Sequence, residues 1–80
     1  MRLAYAPEFK RRFADLPRPI QKKFERQVGF LLRDIHHPSL RAKKYMESSD
    51  IWQARVDRTY RFFFQISEDT YILLTIAAHP

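Results

Sequence analysis

Apolar residues along this chain follow two different periods. From residue 7 to about 35 they recur every three or four positions, and from residue 51 to 77 they alternate with polar residues or run together. The first period is that of helices with one buried face, the second that of strands. Leu3, Ala4 and Tyr5 read as a short first strand ahead of both. Pro7 suits the first turn of a helix, where a missing N–H costs nothing. Phe9, Phe13 and Leu16 then share one helical face, and Pro17 and Pro19 end that helix and begin the next. The second helix is predicted to reach about Ile35, with Ile20, Phe24, Val28, Leu31, Leu32 and Ile35 on its buried stripe and Lys22, Lys23, Glu25 and Arg26 outside. His36 and His37 close it, where an imidazolium complements the helix dipole. Gly29, the only glycine, reads as a point where the helix packs closely on a sheet.

Beyond the helices, Trp52, Ala54 and Val56 alternate with Gln53, Arg55 and Asp57 in a half-buried strand. Asp57, Arg58 and Thr59 make a tight turn. A strand from Tyr60 to Ile66 follows, with Tyr60, Phe62, Phe64 and Ile66 on one face and Arg61, Phe63 and Gln65 on the other. Ser67, Glu68 and Asp69 turn the chain again. Thr70 to Ala77 is nearly continuous apolar, as in a central strand covered on both faces. Residues 38–50 have no period and read as a loop holding at most a short extended piece. The pattern thus predicts a single α+β domain over residues 1–80, in the order β-α-α-β-β-β. A helical hairpin covers one face of a small, mainly antiparallel sheet, and the other face stays partly open and carries the arginines.

Composition narrows the function. Fifteen Lys and Arg against nine Asp and Glu give a net charge of +6, which favours a polyanionic partner. No cysteine is present, so disulfides, thiolate zinc sites and cysteine nucleophiles are excluded. This fits a cytoplasmic protein. No glycine-rich phosphate loop occurs, no apolar run approaches the length of a membrane span, and no signal peptide precedes the first helix. His36, His37 and His79 do not have a zinc spacing. Neither a metal nor a small-molecule cofactor is expected.

Several segments in order resemble the RelE/ParE toxin superfamily. They are the opening strand with Pro7-Glu8-Phe9, HPSLRAKKY at 37–45, IWQARVDRTYRFFFQI at 51–66, and DTYILLTIAAHP at 69–80. The most specific pieces are Trp52-x-x-Arg55-Val56, Tyr60-Arg61-x-x-Phe64, and His79 after an apolar strand. The resemblance implies a RelE-like microbial ribonuclease fold and the toxin of a type II toxin–antitoxin pair, partnered by an antitoxin. RelE-, YafQ- and YoeB-like members cut mRNA on the ribosome, whereas ParE-like members inhibit DNA gyrase without being enzymes. Arg55, Arg61 and His79 match the basic and C-terminal His positions of the mRNA-cutting group. Many of its members carry an aromatic residue after this His, where Pro80 stands here, so a catalytically inactive, antitoxin-binding member is a third reading. Glu47 falls near a general base that some members carry in the middle loop.

The chemistry asked of those residues is coherent. Attack of a 2′-OH on its own phosphate needs a base, an acid for the leaving 5′-oxygen, and positive charge against the developing phosphorane. Imidazole, with an ordinary pKa of about 6.5, suits proton transfer. Guanidinium binds two phosphate oxygens and stays charged. Arg61 is therefore expected to clamp the scissile phosphate, Arg55 to support it, and His79 to move a proton. Arg41, Lys43, Lys44 and Arg58 are expected on the RNA backbone, and Tyr45 on a base.

Overall fold

The computed structural model describes residues 1–79. Strand β1 (Arg2–Tyr5) leads into α1 (Pro7–Ala14) and α2 (Arg18–Arg33), followed by β2 (Lys43–Met46), a 3₁₀ turn (Glu47–Ser49), β3 (Ile51–Arg55), β4 (Tyr60–Ser67) and β5 (Thr70–Ala78). The strands form one sheet in the order β1-β5-β4-β3-β2. Only β1 runs parallel to its neighbour, β5, and the other pairs are antiparallel. The expected α+β fold, a helical hairpin on a mainly antiparallel sheet, is what the chain adopts. The 38–50 stretch adds its short extended piece to the sheet as β2, the exposed edge strand.

The core lies between the hairpin and one sheet face. Phe9 and Phe24 from the helices meet Phe62 and Phe64 from β4, with ring centroids 5.1–5.8 Å apart along the chain of contacts. Leu31, Leu40, Leu73 and Ile76 fill the remaining space and are at most 1% exposed. Aromatic pairs of this kind add about 0.5–1.5 kcal/mol each beyond burial, which helps an 80-residue chain close a core. Gln21 joins the two helices by donating from Nε2 to the Phe13 carbonyl at 2.8 Å.

Five expectations are corrected. Helix α2 stops at Arg33 rather than Ile35, because Asp34 takes up an extended backbone. Leu32 points outward and is 40% exposed, so the buried stripe is Phe24, Val28 and Leu31, joined by the polar Gln27. His37 does not act on the helix terminus. Its ring stacks on Phe30 with centroids 3.9 Å apart, and its Nδ1 accepts the Ser39 N–H. Strand β5 has helices over one face only, leaving Ile72, Leu74 and Thr75 half-buried on the other.

Gly29 is the fifth correction. A Cβ built on it meets no atom within 4 Å, so it does not mark close packing. Glycine in a helix interior costs about 0.5–1 kcal/mol relative to alanine. Gly29→Ala should therefore stabilise the protein by about that amount, read as a higher urea midpoint at unchanged m-value.

Candidate functional site

The open sheet face holds a groove of about 300 Å³ lined by Arg41, Lys43, Gln53, Ala54, Arg55, Arg61 and His79. Four of these side chains are cationic, a fifth is imidazole, and none is a carboxylate. Strand register explains the convergence. Arg55 on β3 is the cross-strand partner of Arg61 on β4, and Arg61 is in turn opposite Ala77 on β5, two residues before His79. Because Ala54 and Phe62 face the core, alternation turns both arginines to the open side. Like charges directly opposite one another are destabilising in a sheet. Burial first, and then repulsion from Arg41, Arg61 and Arg58, lower the Arg55 pKa from its ordinary value.

Two hydrogen-bond systems hold the groove together. The first fixes its Arg41–Arg55 wall. Gln27 on α2 is 5% exposed, and its Nε2 donates to the carbonyls of Ser39 (3.0 Å) and Arg55 (2.9 Å). Its Oε1 accepts from the Ser39 hydroxyl at 2.9 Å, and the Arg55 N–H donates to the Leu40 carbonyl at 2.8 Å. With Leu40 buried on one side and this ladder on the other, Arg41 is forced to φ 45°. That left-handed conformation costs a non-glycine residue about 1–2 kcal/mol.

The second system fixes Arg61 and His79. Asp57 Oδ1 accepts the N–H groups of Thr59 and Tyr60, both at 2.8 Å, and its Oδ2 accepts from Lys23 on α2 at 3.3 Å. Burial works to raise the Asp57 carboxyl, but the two backbone donors and the Lys23 ammonium outweigh it and hold the pKa below its ordinary 3.8. The turn so formed accepts Arg61 Nη1 at the Asp57 carbonyl (3.0 Å), and its Thr59 carbonyl accepts the His79 N–H. A single carboxylate thus braces the turn that carries one groove residue and docks another.

The expected site residues divide. Arg55, Arg61, His79, Arg41 and Lys43 share the groove. Arg58 is exposed in the turn at its border, where its carbonyl lies 3.4 Å from Arg61 Nη1. Lys44 is turned to the opposite face by strand alternation. It pairs with Asp50 at 2.8 Å and Glu47 at 3.9 Å and lies over the Trp52 ring, and its pKa is raised chiefly by the Asp50 hydrogen bond. Glu47 stands with it, outside the groove. Tyr45 projects on the open face beyond the groove, against Phe63. Gln27 and the bracing role of Asp57 lie outside the sequence expectations; a lone Gln on an otherwise apolar stripe is the available signal for the first. Among the described residues, no group of three His, Asp or Glu could hold a metal ion, and no helix is long and apolar enough to cross a membrane.

No family model and no curated protein matches the chain. Solved structures do. A YoeB/ParE toxin from Agrobacterium tumefaciens superposes with a TM-score of 0.83 at 12% identity, covering 100% of both chains. The structure of the archaeal RelE–RelB complex from Pyrococcus horikoshii matches with a TM-score of 0.79 at 15% identity, over 96% of this chain and 92% of that one. The YoeB–YefM toxin–antitoxin complex from Staphylococcus aureus gives 0.80 at 9% identity, over 100% and 98%. The chain has the fold of the RelE/ParE toxins.

Two outcomes test the account of the groove. Asp57→Ala should destabilise the protein by about 1.5–3 kcal/mol at neutral pH, the usual value of hydrogen bonds to a charged group. A carboxyl held low when folded stabilises fully above its unfolded pKa and loses that effect as pH falls through the folded value. The stability gap between parent and variant should therefore stay constant above about pH 5 and close in stronger acid, as followed by urea denaturation across pH. Arg41→Gly relieves the left-handed strain while deleting a groove cation. It should leave stability unchanged or raise it by up to about 1 kcal/mol, yet elute from heparin at lower salt.

Proposed function

We propose that this chain, which carries the RelE/ParE toxin fold, is the toxin of a type II toxin–antitoxin pair and a metal-independent endoribonuclease that cuts mRNA on the ribosome. One observation carries the reading: Arg41, Lys43, Arg55, Arg61 and His79 converge in a single groove that no carboxylate lines. Such a groove repels itself when empty and suits a polyanion in which successive phosphates meet successive cations.

The proposed steps follow from placement. Arg61 holds the scissile phosphate. Its Nη1 is committed to turn carbonyls, which aims the rest of the guanidinium outward. Arg55, directly across the strand, adds charge against the phosphorane that forms as the 2′-oxygen attacks. His79 moves a proton at the 2′-hydroxyl or the leaving 5′-oxygen. The bond from phosphorus to the 5′-oxygen breaks as the bond to the 2′-oxygen forms, leaving a 2′,3′-cyclic phosphate and a 5′-hydroxyl. Arg41 and Lys43 bind the neighbouring backbone, with Arg58 at the border.

The proposed partner is an antitoxin, in the cytoplasm. RelE of P. horikoshii and YoeB of S. aureus were solved with RelB and YefM, and an acidic partner segment over the groove would both neutralise and block it. Primer extension on mRNA from cells expressing the chain provides the test. Cuts at the ribosomal A site are expected, and they should vanish in Arg61→Ala and His79→Ala while both variants keep the parent's circular dichroism. Full growth arrest and full cleavage by both variants would sink the mechanism. An SOS response with intact mRNA would instead mark a gyrase inhibitor, and no growth effect an inactive, antitoxin-binding member.

A further inference from the structure

A second cleft opens on the same bare sheet face. Tyr45, Ile51, Phe63, Leu74 and Thr75 enclose about 270 Å³, drawn from β2, β3, β4 and β5. The Tyr45 and Phe63 rings meet edge to face, with centroids 5.1 Å and planes 71° apart. Tyr45 is the bulge residue of β2, inserted where the register slips between Lys44 and Met46, and it stands 57% exposed. A bulge re-aims a side chain that regular pairing would hold elsewhere.

Register fixes the distance between cleft and groove. Lys43, Gln53, Phe63 and Thr75 form one row across four strands, and Arg55, Arg61 and Ala77 form the next. Rows two residues apart are separated by about 7 Å along a strand, a stride that one nucleotide of an extended single strand can span. The row containing Phe63 and Thr75 also supplies Lys43 and Gln53 to the basic groove, so the two hollows share a wall.

The side chains lining the cleft carry only two polar groups, the Tyr45 phenol and the Thr75 hydroxyl. Thr75 Oγ1 is buried and has no hydrogen-bond partner among the described residues. Buried hydroxyls in folded proteins are nearly always paired, and an unpaired one weakens the fold. Valine would fill the same shape without that cost. A ligand that suits the cleft therefore has flat apolar faces for Tyr45 and Phe63, a polar edge for Thr75, and an attached phosphate one row away. An aliphatic side chain from a protein partner satisfies the walls but leaves the hydroxyl unpaired.

We propose, resting on the reading of the groove as an RNA site, that this cleft receives the unpaired nucleobase adjoining the phosphate held by Arg55 and Arg61. The substrate is then gripped by a base as well as by its backbone, and must be single-stranded at that nucleotide.

Binding of the full chain to a short single-stranded RNA, compared with the same RNA made abasic at each position in turn, tests this. One abasic position should weaken binding by about 5- to 150-fold, the equivalent of about 1–3 kcal/mol for a stacked base. A 2-aminopurine at that position should be quenched on binding. Tyr45→Leu and Thr75→Val should each weaken binding of the intact RNA and have no effect on the abasic one. Thr75→Val should melt no lower than the parent, which separates a lost contact from a lost fold. Equal, salt-dependent binding of intact and abasic RNA, with Arg55→Gln weakening both, would overturn the cleft assignment and leave the groove reading standing. Absence of salt-dependent binding to either RNA would overturn both. Variants that bind RNA normally but lose a protein partner would make the cleft a protein-docking site and overturn the assignment.

Discussion

The buried amide of Gln27 is the constraint on which the groove depends. Its two N–H donors and its oxygen are all engaged, joining α2 to the loop before β2 and to the end of β3. Replacing it by an apolar residue would leave the Ser39 and Arg55 carbonyls without their partner, at about 1–3 kcal/mol for each group that stays buried. The bonds also resist a force. Arg41 and Arg55 carry like charges into one hollow, and backbone that can move apart will do so unless something holds it. Gln27, the Leu40 side chain and the Arg55–Leu40 hydrogen bond hold that wall. Asp57 does the equivalent for Arg61 and His79 on the other side. Both braces reach down to α2, one through Gln27 and one through Lys23. The helix therefore sets the spacing of cations on a sheet face it does not touch.

Local irregularities collect around this face. Arg41 has a backbone conformation that suits glycine, Arg55 and Arg61 oppose each other across strands, and Thr75 buries a hydroxyl without a partner. Each departs from what stability alone would select, and such departures tend to gather where a protein works. Among the described residues, the other two left-handed ones, Asp50 and Glu68, sit where the chain simply turns, after the 3₁₀ turn and between β4 and β5.

Much of the fold was legible because period and burial agree. The alternation of Trp52 to Asp57 and of Tyr60 to Ile66 assigns faces without ambiguity, and face assignment alone brings Arg55 and Arg61 together. The failures have physical causes. Leu32 has the residue type of a buried position, but it lies at the margin of the helix stripe, where one residue's rotation decides exposure. Lys44 groups with Lys43 in sequence because charge gives no direction in a segment without a period; in a strand, neighbours must diverge. The run Thr70 to Ala77 reads in sequence as covered on both faces because an apolar open face and a buried one look alike there. The role of Gln27 is hidden in sequence because a polar residue on a helix is ordinarily solvated, and its partners, the Ser39 and Arg55 carbonyls, leave no mark on composition.

The parallel pairing of β1 with β5 has a consequence for how the molecule comes into being. Arg2 to Tyr5 align with Thr70 to Leu73, and the Arg2 and Ala6 N–H groups donate to Asp69 and Leu73. In this sheet β1 pairs with β5 alone, across nearly the whole described sequence. Closing so long a loop costs entropy before any contact repays it, which slows folding. The hairpin of α1 and α2 can form early, but its Phe9 and Phe24 have no sheet to cover until β4 and β5 exist. Sheet and groove are therefore completed together, once β5 is in place, and without β5 neither β1 nor His79 has its seat.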